Sequence, residues 1–485
     1  MGQDRWLDNA SLRDLQEAMQ RGDLTSEQLT AHCLARIAEH NKCGAGVNAV
    51  LEINPDALHI ANGMDTIRRV AGSRGRLHGI PVLLKDNIDT GDKMHTSAGS
   101  LALATHYAEE DSFVAAQLRR AGAVILGKAN MTEWANFMTD GMPSGYSSRG
   151  GQVRNPYGDF DVGGSSSGSA AGVAAGFAPL AVGTETSGSI LSPAHSCSLV
   201  GIKPTVGLIS RSGIIPIAHS QDTAGPIART VVDAAAMLRA MAGVDERDPV
   251  TRTRRGREVE DYLTGLSPDA LKGARLGIVR QFFADLDEAR AAVYDRAIDA
   301  LTSLGAVILE VDDYAPQVEK GDYRVLLYEF KPNLNAYLAR TSCHAPVHSL
   351  ADVIDFNNGD SEARLRYGQS VLIASEATSG TLTESEYIRA RLENLLHCRE
   401  QGVDAALTRD RLDALVFPGN IGCGVAAKAG YPSVTVPAGY TAAGRPVGLT
   451  FTGTAFSEHS LIKLAYAFEQ GTMARVAPRL GVSDD

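Results

Sequence analysis

Residues 163–188 read GGSSSGSAAGVAAGFAPLAVGTETSG, a stretch that almost lacks large side chains. Small residues let a helix pack close to its neighbours and let the backbone approach a ligand. A flexible glycine–serine linker is the alternative interpretation. Residues 170–177 argue against a linker, because their alanine and valine content is typical of a buried helix. We therefore predict a close-packed core helix within this stretch.

The segments on either side of this stretch alternate between strands and helices. Residues 81–84 predict a buried strand, residues 112–121 have the apolar spacing of a helix, and residues 123–126 predict another strand. The same order returns at 275–311 and in the C-terminal part. Such alternation is typical of α/β proteins. We predict a single large α/β domain over residues 1–485, with a mainly helical elaboration at about 320–400.

The composition of the chain excludes some classes of function. A formal net charge of −11 over 485 residues argues against general nucleic-acid binding, which needs concentrated positive charge. The six cysteines form no C-x-x-C pair, which is typical of reduced, intracellular proteins. No apolar run reaches about 18 residues without glycine or charge. We therefore predict a cytoplasmic protein that binds neither nucleic acid nor membrane, and we make no prediction of its oligomeric state.

Three short motifs resemble known signatures but lie in the wrong context. Residues 122–128 have the spacing of a phosphate-binding loop, yet Ala129 stands where Ser or Thr holds Mg²⁺, and the intervening residues favour a strand. Residues 164–168 satisfy G-x-S-x-G without the preceding strand that a nucleophile elbow needs. Residues 460–463 satisfy S-x-x-K on a predicted amphipathic helix, and the chain contains no K-T-G. None of the three predicts the chemistry of this protein.

Lys85 stands at the end of the apolar run 81–84. Lysine is seldom fully buried, so one interpretation is a side chain that reaches from the strand end to solvent. The other is a catalytic base. Only about 1 in 2,500 ordinary lysine amines is neutral at pH 7. A low-dielectric strand end would raise that fraction, because it disfavours the ammonium form.

Residues 186–189 (TSGS) can provide what a serine nucleophile needs. Attack by serine requires a proton acceptor and hydrogen-bond donors for the oxyanion. The small side chains permit a tight turn whose N–H groups converge on one point. A serine in a glycine-flanked loop is more often a turn residue, but this loop and the serine-rich loop at 163–169 together favour a catalytic function.

The chain resembles the amidase signature family over nearly its whole length. The resemblance rests on HGIPVLLKDN (78–87), GGSSSGSAA (163–171), GTETSGSI (183–190), GIKPT (201–205), SQDTAGP (220–226) and AGYPSVTVP (429–437). Within the family, TEWAN (132–136), RGGQ (149–152) and LYEFK (327–331) are most like bacterial peptide amidases and related aryl acylamidases. This resemblance implies the amidase signature fold, an α/β fold whose mixed, twisted central sheet is covered by helices on both faces.

The resemblance also implies roles for individual residues. By position, Lys85 corresponds to the catalytic lysine, Ser165 to a bridging serine after a cis peptide bond, and Ser189 to the nucleophile. Oxyanion-hole amides would come from Thr186, Ser187, Gly188 and Ser189. Protons would pass from Ser189 through Ser165 to neutral Lys85. The expected reaction is hydrolysis of a small, aryl or peptide amide, or a carbamate, through an acyl-enzyme, and no metal or cofactor is implied.

Departures from the family pattern lie beside the expected site. Ser187 stands where the family usually has Gly or Asp, and Leu191 where many members have Arg. The connection at 419–429 is short compared with related peptide amidases. A short connection predicts an open substrate entrance and a preference for bulky, uncharged anilides or aryl carbamates over amidated peptides. The alternative is that the helical residues at 320–400 close the same space.

Two other functions are consistent with the same resemblance. The first is the amidase component (the A subunit) of a tRNA-dependent amidotransferase, which has the same relay but works with partner proteins. The closer similarity to peptide amidases argues against it. A catalytically inactive binding protein on this fold is the second alternative. Retention of Lys85, Ser165 and Ser189 argues against that one.

Overall fold

The computed structural model describes residues 4–7, 9–254, 259–312, 314, 322–342 and 345–481. Within these ranges the strands are β1 (Val50–Ile53), β2 (Pro81–Lys85), β3 (Val124–Ala129), β4 (Tyr146–Ser147), β5 (Gly151–Gln152), β6 (Leu180–Glu185), β7 (Val200–Lys203), β8 (Thr223–Ala228), β9 (Arg275–Ile278), β10 (Val307–Glu310), β11 (Ala414–Pro418), β12 (Ser433–Tyr440) and β13 (Pro446–Thr452). Eleven of these described strands form one sheet, in the order β1-β3-β2-β6-β8-β7-β12-β13-β11-β9-β10. The pairs β3-β2-β6 and β11-β9-β10 are parallel and the others antiparallel, which confirms the predicted mixed sheet and α/β fold.

Helices flank this sheet. In the described ranges they are α1 (Asp4–Leu7), α2 (Leu12–Arg21), α3 (Ser26–His40), α4 (Ala57–Ala71), α5 (Phe113–Arg120), α6 (Ser167–Ala174), α7 (Leu191–Ser196), α8 (Val231–Met241), α9 (Glu288–Ser303), α10 (Arg324–Leu338), α11 (Leu350–Asn358), α12 (Ser361–Arg364), α13 (Ser370–Glu376), α14 (Ser385–Glu393), α15 (Asp404–Arg409), α16 (Cys423–Ala429) and α17 (Glu458–Thr472), with a π-helical segment at Asn394–Val403. Helices α10 to α14 occupy most of the segment expected to be a helical elaboration. None of the helices in the described ranges combines the length and the hydropathy needed to cross a membrane.

The sequence pattern does not predict β1 or the strands β6 to β8. Strand β6 continues the small-residue stretch, and β8 (TAGPIA) contains a glycine and a proline, which are both depleted in strands. Every residue of β6 and β8 is buried, so neither strand has the alternation of polar and apolar residues that marks a half-exposed strand. The central position of β6 and β8 in the sheet therefore determines their strand conformation more than the strand propensity of their residues does.

Parallel pairing brings two chemically important strand ends together. Strand β2 lies between β3 and β6 and is parallel to both. Parallel neighbours have their carboxyl ends at the same edge of a sheet, and ligands of α/β proteins commonly bind at that edge. Lys85 ends β2, and Thr184 and Glu185 end β6. The sheet therefore fixes these three residues next to one another.

Helix α6 is the close-packed core helix predicted from the small-residue stretch, and all of its residues are buried. A Cβ atom on Gly168 would overlap the carbonyl oxygens of Ala49 and Asn130. A Cβ atom on Gly172 would lie 2.9 Å from a methyl group of Leu83 on β2. Only glycine permits so close an approach, so the stretch packs in the core and is not a flexible linker.

The motif that resembles a phosphate-binding loop is a buried strand. Residues 124–129 form β3, in agreement with the strand predicted from the sequence. The Lys128 side chain is fully buried and donates hydrogen bonds to the Ile88 carbonyl oxygen and to Thr96 Oγ1. The Lys128 side chain therefore makes hydrogen bonds inside the protein and does not face a ligand.

Candidate active site

Lys85 ends β2 with its side chain fully buried. Its Nζ donates a hydrogen bond of 2.8 Å to Ser165 Oγ, and two more to Thr184, at 3.1 Å to the carbonyl oxygen and 2.9 Å to Oγ1. Thr184 Oγ1 also accepts a hydrogen bond of 3.0 Å from Asn87. These contacts fix the amine beside the serine hydroxyl. The strand-end side chain does not reach solvent.

Burial lowers the pKa of Lys85 to about 7. Removal from water is the main cause, since it disfavours the ammonium form. The Glu185 and Asp222 carboxylates act in the opposite direction, but their effect on the pKa is smaller. No carboxylate of the described residues forms a salt bridge with Lys85 that would stabilise its charge. Near pH 7 a large fraction of this amine is therefore neutral.

Ser165 lies at the amino-terminal side of α6, after a cis Gly164–Ser165 peptide bond. Its side chain is fully buried, and its carbonyl oxygen accepts a 3.0 Å hydrogen bond from the Thr132 amide. The next residue, Ser166, donates its amide to the Ser189 carbonyl oxygen at 3.1 Å. This main-chain bond joins the Ser165 loop to the segment that carries Ser189.

The segment around Ser189 is folded around a buried carboxylate. Glu185 is 1% exposed, and its Oε1 accepts the Gly188 amide at 2.8 Å. Its Oε2 accepts the amides of Ile190, at 2.7 Å, and Leu191, at 3.0 Å. The hydrogen bonds lie on both sides of Ser189 in the chain. Glu185 therefore holds the nucleophile candidate at the beginning of α7.

Gly188 contributes the shape of this turn. Its φ of +80° is one that residues with a side chain rarely adopt, and a Cβ atom there would lie 3.1 Å from Cys423 Sγ. Its amide is already bound to Glu185. This differs from the expectation that all four amides of residues 186–189 face an oxyanion, and it leaves Thr186, Ser187 and Ser189 as the candidates.

Ser189 lines a cavity of about 620 Å³ and is 8% exposed. Ser187, which is exposed, lines the same cavity, whereas Leu191 is buried outside the lining. The lining has an apolar part, which includes Phe137, Met142, Leu326, Leu327, Val371 and Ile421. It also has a polar part, which includes Asp161, His195, Arg290, Asn420 and Arg445. A substrate bound at Ser189 therefore meets both kinds of surface.

Two helices of the 320–400 region contribute to the cavity wall. Residues 326 and 327 of α10 and residues 370, 371 and 374 of α13 line the cavity, together with Tyr323 just before α10. Asn420 and Ile421 of the short connection are part of the lining as well. The helical region and the short connection therefore both contribute to the wall of the cavity.

The sequence pattern assigns no role to Thr184 or Glu185, although both belong to the motif GTETSGSI. The signal that could have found Glu185 is a carboxylate directly before a turn rich in small residues, where several backbone amides need an acceptor. The partners of Thr184 could not be found in this way, because Lys85 and Asn87 are about a hundred residues away in the chain.

Comparison with known proteins agrees with this geometry. The Amidase family profile matches residues 28–462. A probable amidase of Arabidopsis thaliana is 41% identical, over 98% of this chain and 92% of its own length. The A subunit of the glutamyl-tRNA(Gln) amidotransferase of Acinetobacter baumannii is 34% identical, over 96% of each chain.

Among solved structures, the peptide amidase of Stenotrophomonas maltophilia is 45% identical and superposes with a TM-score of 0.90, over 98% of this chain and 99% of its own. The family profile matches most of the chain, and these three relatives are 34% to 45% identical to it over at least 96% of its length. The chain belongs to the amidase family and is a hydrolase that acts on amide bonds.

Proposed function

We propose that this amidohydrolase cleaves linear amides through an acyl-enzyme on Ser189, with Ser165 and Lys85 as a proton relay. The observation that carries the proposal is the 2.8 Å contact between Lys85 Nζ and Ser165 Oγ in a fully buried site. A base must lie within about 2.6–3.2 Å of the proton it abstracts, and its pKa should lie near the working pH. The Lys85 amine meets both conditions.

The first half of the reaction forms the acyl-enzyme. Neutral Lys85 accepts the hydroxyl proton of Ser165, and Ser165 accepts that of Ser189 as Ser189 Oγ attacks the amide carbonyl carbon. The tetrahedral intermediate then collapses and the carbon–nitrogen bond breaks. The relay runs in reverse and protonates the leaving nitrogen, which departs as ammonia or an amine. No proton is gained or lost by the enzyme over this half-reaction.

The second half returns the free enzyme. Water attacks the ester carbonyl carbon, and its proton passes into the same relay. Ser189 takes the proton back as it leaves, and a carboxylic acid is released. Both halves develop negative charge on the carbonyl oxygen. We propose that the amides of Thr186, Ser187 and Ser189 stabilise this charge, while Gly188 supplies the turn.

The substrate proposed is an amide whose acyl part has an apolar side chain, such as an amidated peptide. The apolar part of the cavity lining supports this class, since it offers a desolvated surface for such a side chain. The similarity to a peptide amidase over almost the whole chain supports it as well. The cysteine pattern supports a cytoplasmic location for the reaction.

A component of a tRNA-dependent amidotransferase is the second candidate, because the corresponding protein of Acinetobacter baumannii is similar over most of both chains. Such a component works in a complex. Hydrolysis by the purified chain alone favours an independent amidase, whereas activity that requires partner proteins would favour the amidotransferase.

The nucleophile assignment predicts the effect of Ser189→Ala. Loss of a nucleophilic hydroxyl that acts as one unit with its base should lower kcat by at least about 10⁴-fold. Ser460→Ala is the matched control, because it removes an exposed hydroxyl from α17. It should leave kcat within about twofold of wild type. Retention of more than about a tenth of the activity in the Ser189 variant would show that another group attacks the substrate.

The lowered pKa of Lys85 predicts how activity depends on pH. Lys85 acts as a base only when neutral, so its active form increases as pH rises through about 7. We expect kcat/KM for an uncharged substrate to rise about tenfold from pH 6 to pH 8 and then to level off, with an apparent pKa that belongs to the coupled relay. A value that stays constant or falls across this range, in an enzyme that remains folded, would be incompatible with Lys85 as the base.

The cavity lining predicts substrate preference. An amidated dipeptide with an apolar residue next to the scissile amide should have a kcat/KM at least about tenfold above that of acetanilide, because its side chain buries more apolar surface. Initial rates under identical conditions provide the comparison. A clear preference for the anilide would refute the peptide-amide proposal and favour the open-entrance interpretation, while the amidase assignment would stand.

A further inference from the structure

Arg445 is a half-buried arginine in the lining of the Ser189 cavity. It directly precedes β13, and its backbone amide donates to Thr441 Oγ1 at 3.2 Å. Its guanidinium makes no hydrogen bond and no salt bridge with any residue that the structure describes. Arginine has five N–H donors and keeps its positive charge at all physiological pH values. The guanidinium of Arg445 is therefore available to bind a ligand in the cavity.

A second arginine in the same lining is already neutralised. Arg290 Nε lies 2.6 Å from Asp287 Oδ2 at the beginning of α9. An arginine that is paired in this way has little capacity to attract an anionic substrate. The positive charge of Arg445 also contributes to lowering the pKa of Asp287, after the larger effect of Arg290, but no salt bridge joins Arg445 to Asp287 in the described part of the chain.

The cavity lining contains two carboxylates, Asp140 and Asp161, and neither forms a salt bridge with Arg445 among the described residues. His195 lies in α7, and burial lowers its pKa to about 4, with the positive charge of Arg445 acting in the same direction. His195 is therefore neutral at pH 7. Within the described part of the chain Asp161 forms no salt bridge with Arg445, and its Oδ1 accepts the Gly163 amide at 2.9 Å. Asn420 carries no charge.

We propose that Arg445 binds a carboxylate carried by the substrate and so gives this enzyme a preference for acidic amides. A guanidinium pairs with a carboxylate through two parallel hydrogen bonds, and such charge-assisted bonds are among the strongest in proteins. The favoured substrate then combines an apolar side chain for the apolar lining with an acidic group for Arg445. This inference rests on the proposed function, since it places the substrate in the Ser189 cavity.

Matched amidated dipeptides test the inference directly. Acetyl-Glu-Leu-amide and acetyl-Gln-Leu-amide differ in charge but hardly in size. In a second pair, acetyl-Leu-Glu-amide and acetyl-Leu-Gln-amide, the Glu or Gln residue is the one next to the scissile amide. At pH 7.5 the wild-type enzyme should favour Glu over Gln by at least about tenfold in kcat/KM in one of the two pairs. Equal rates within both pairs would overturn the proposal.

Three variants assign the preference to one side chain. Arg445→Met should reduce the Glu/Gln ratio to within about twofold of unity, and its circular dichroism spectrum reports whether the variant is folded. Arg445→Lys should retain part of the preference, since it keeps the charge without the paired donors. Arg13→Met is the control and should leave the ratio unchanged, because Arg13 is paired with Glu17 on the exposed side of α2 and is not part of the cavity lining.

The possible failures are distinguishable. An unchanged ratio in Arg445→Met, or an equal loss of preference in Arg13→Met, would overturn the role of Arg445 while leaving the amidase reaction intact. Failure of the wild-type enzyme to cleave any of the four peptides, with normal activity on a simple amide, would instead refute the peptide-amide substrate and the inference together.

Discussion

The proposed function of this site depends on the exclusion of water from the carboxyl end of β2. Lys85 reaches Ser165 there in a fully buried environment, and the same environment destabilises its ammonium form. A carboxylate in direct contact would restore the positive charge and remove the base. Glu185, whose charge acts on Lys85, is instead occupied by three backbone amides. One acidic side chain thus shapes the nucleophile turn without neutralising the lysine.

The small residues of the signature stretch make this arrangement sterically possible. Helix α6 can approach Ala49, which precedes β1, and Asn130, which follows β3, only because Gly168 lacks a side chain. A larger side chain at that position would push the helix away from the sheet. The close packing of α6 and the proposed contact between Ser165 and Lys85 are therefore linked through the small residues of this stretch.

Local sequence patterns are sufficient for part of this description. The apolar run before Lys85 predicts its strand, and the small-residue stretch predicts α6, because both signals are local. The contacts of Glu185 and the proposed role of Arg445 are not predictable in this way. The contacts of Glu185 depend on which backbone amides of the turn point at its carboxylate. The position of Arg445 in the cavity lining depends on how distant segments of the chain pack around the cavity. Both are properties of tertiary packing, which a periodicity pattern does not contain.

The proposed relay requires Lys85 to be a buried amine that is largely neutral at neutral pH. Carbon-13 NMR of enzyme labelled at lysine Cε measures this directly, with the Lys85 signal assigned by its absence from Lys85→Met. We expect a titration midpoint at a pKa of about 7. A midpoint near the ordinary lysine pKa of about 10.4 would show that Lys85 remains an ammonium ion and would contradict the proposed relay.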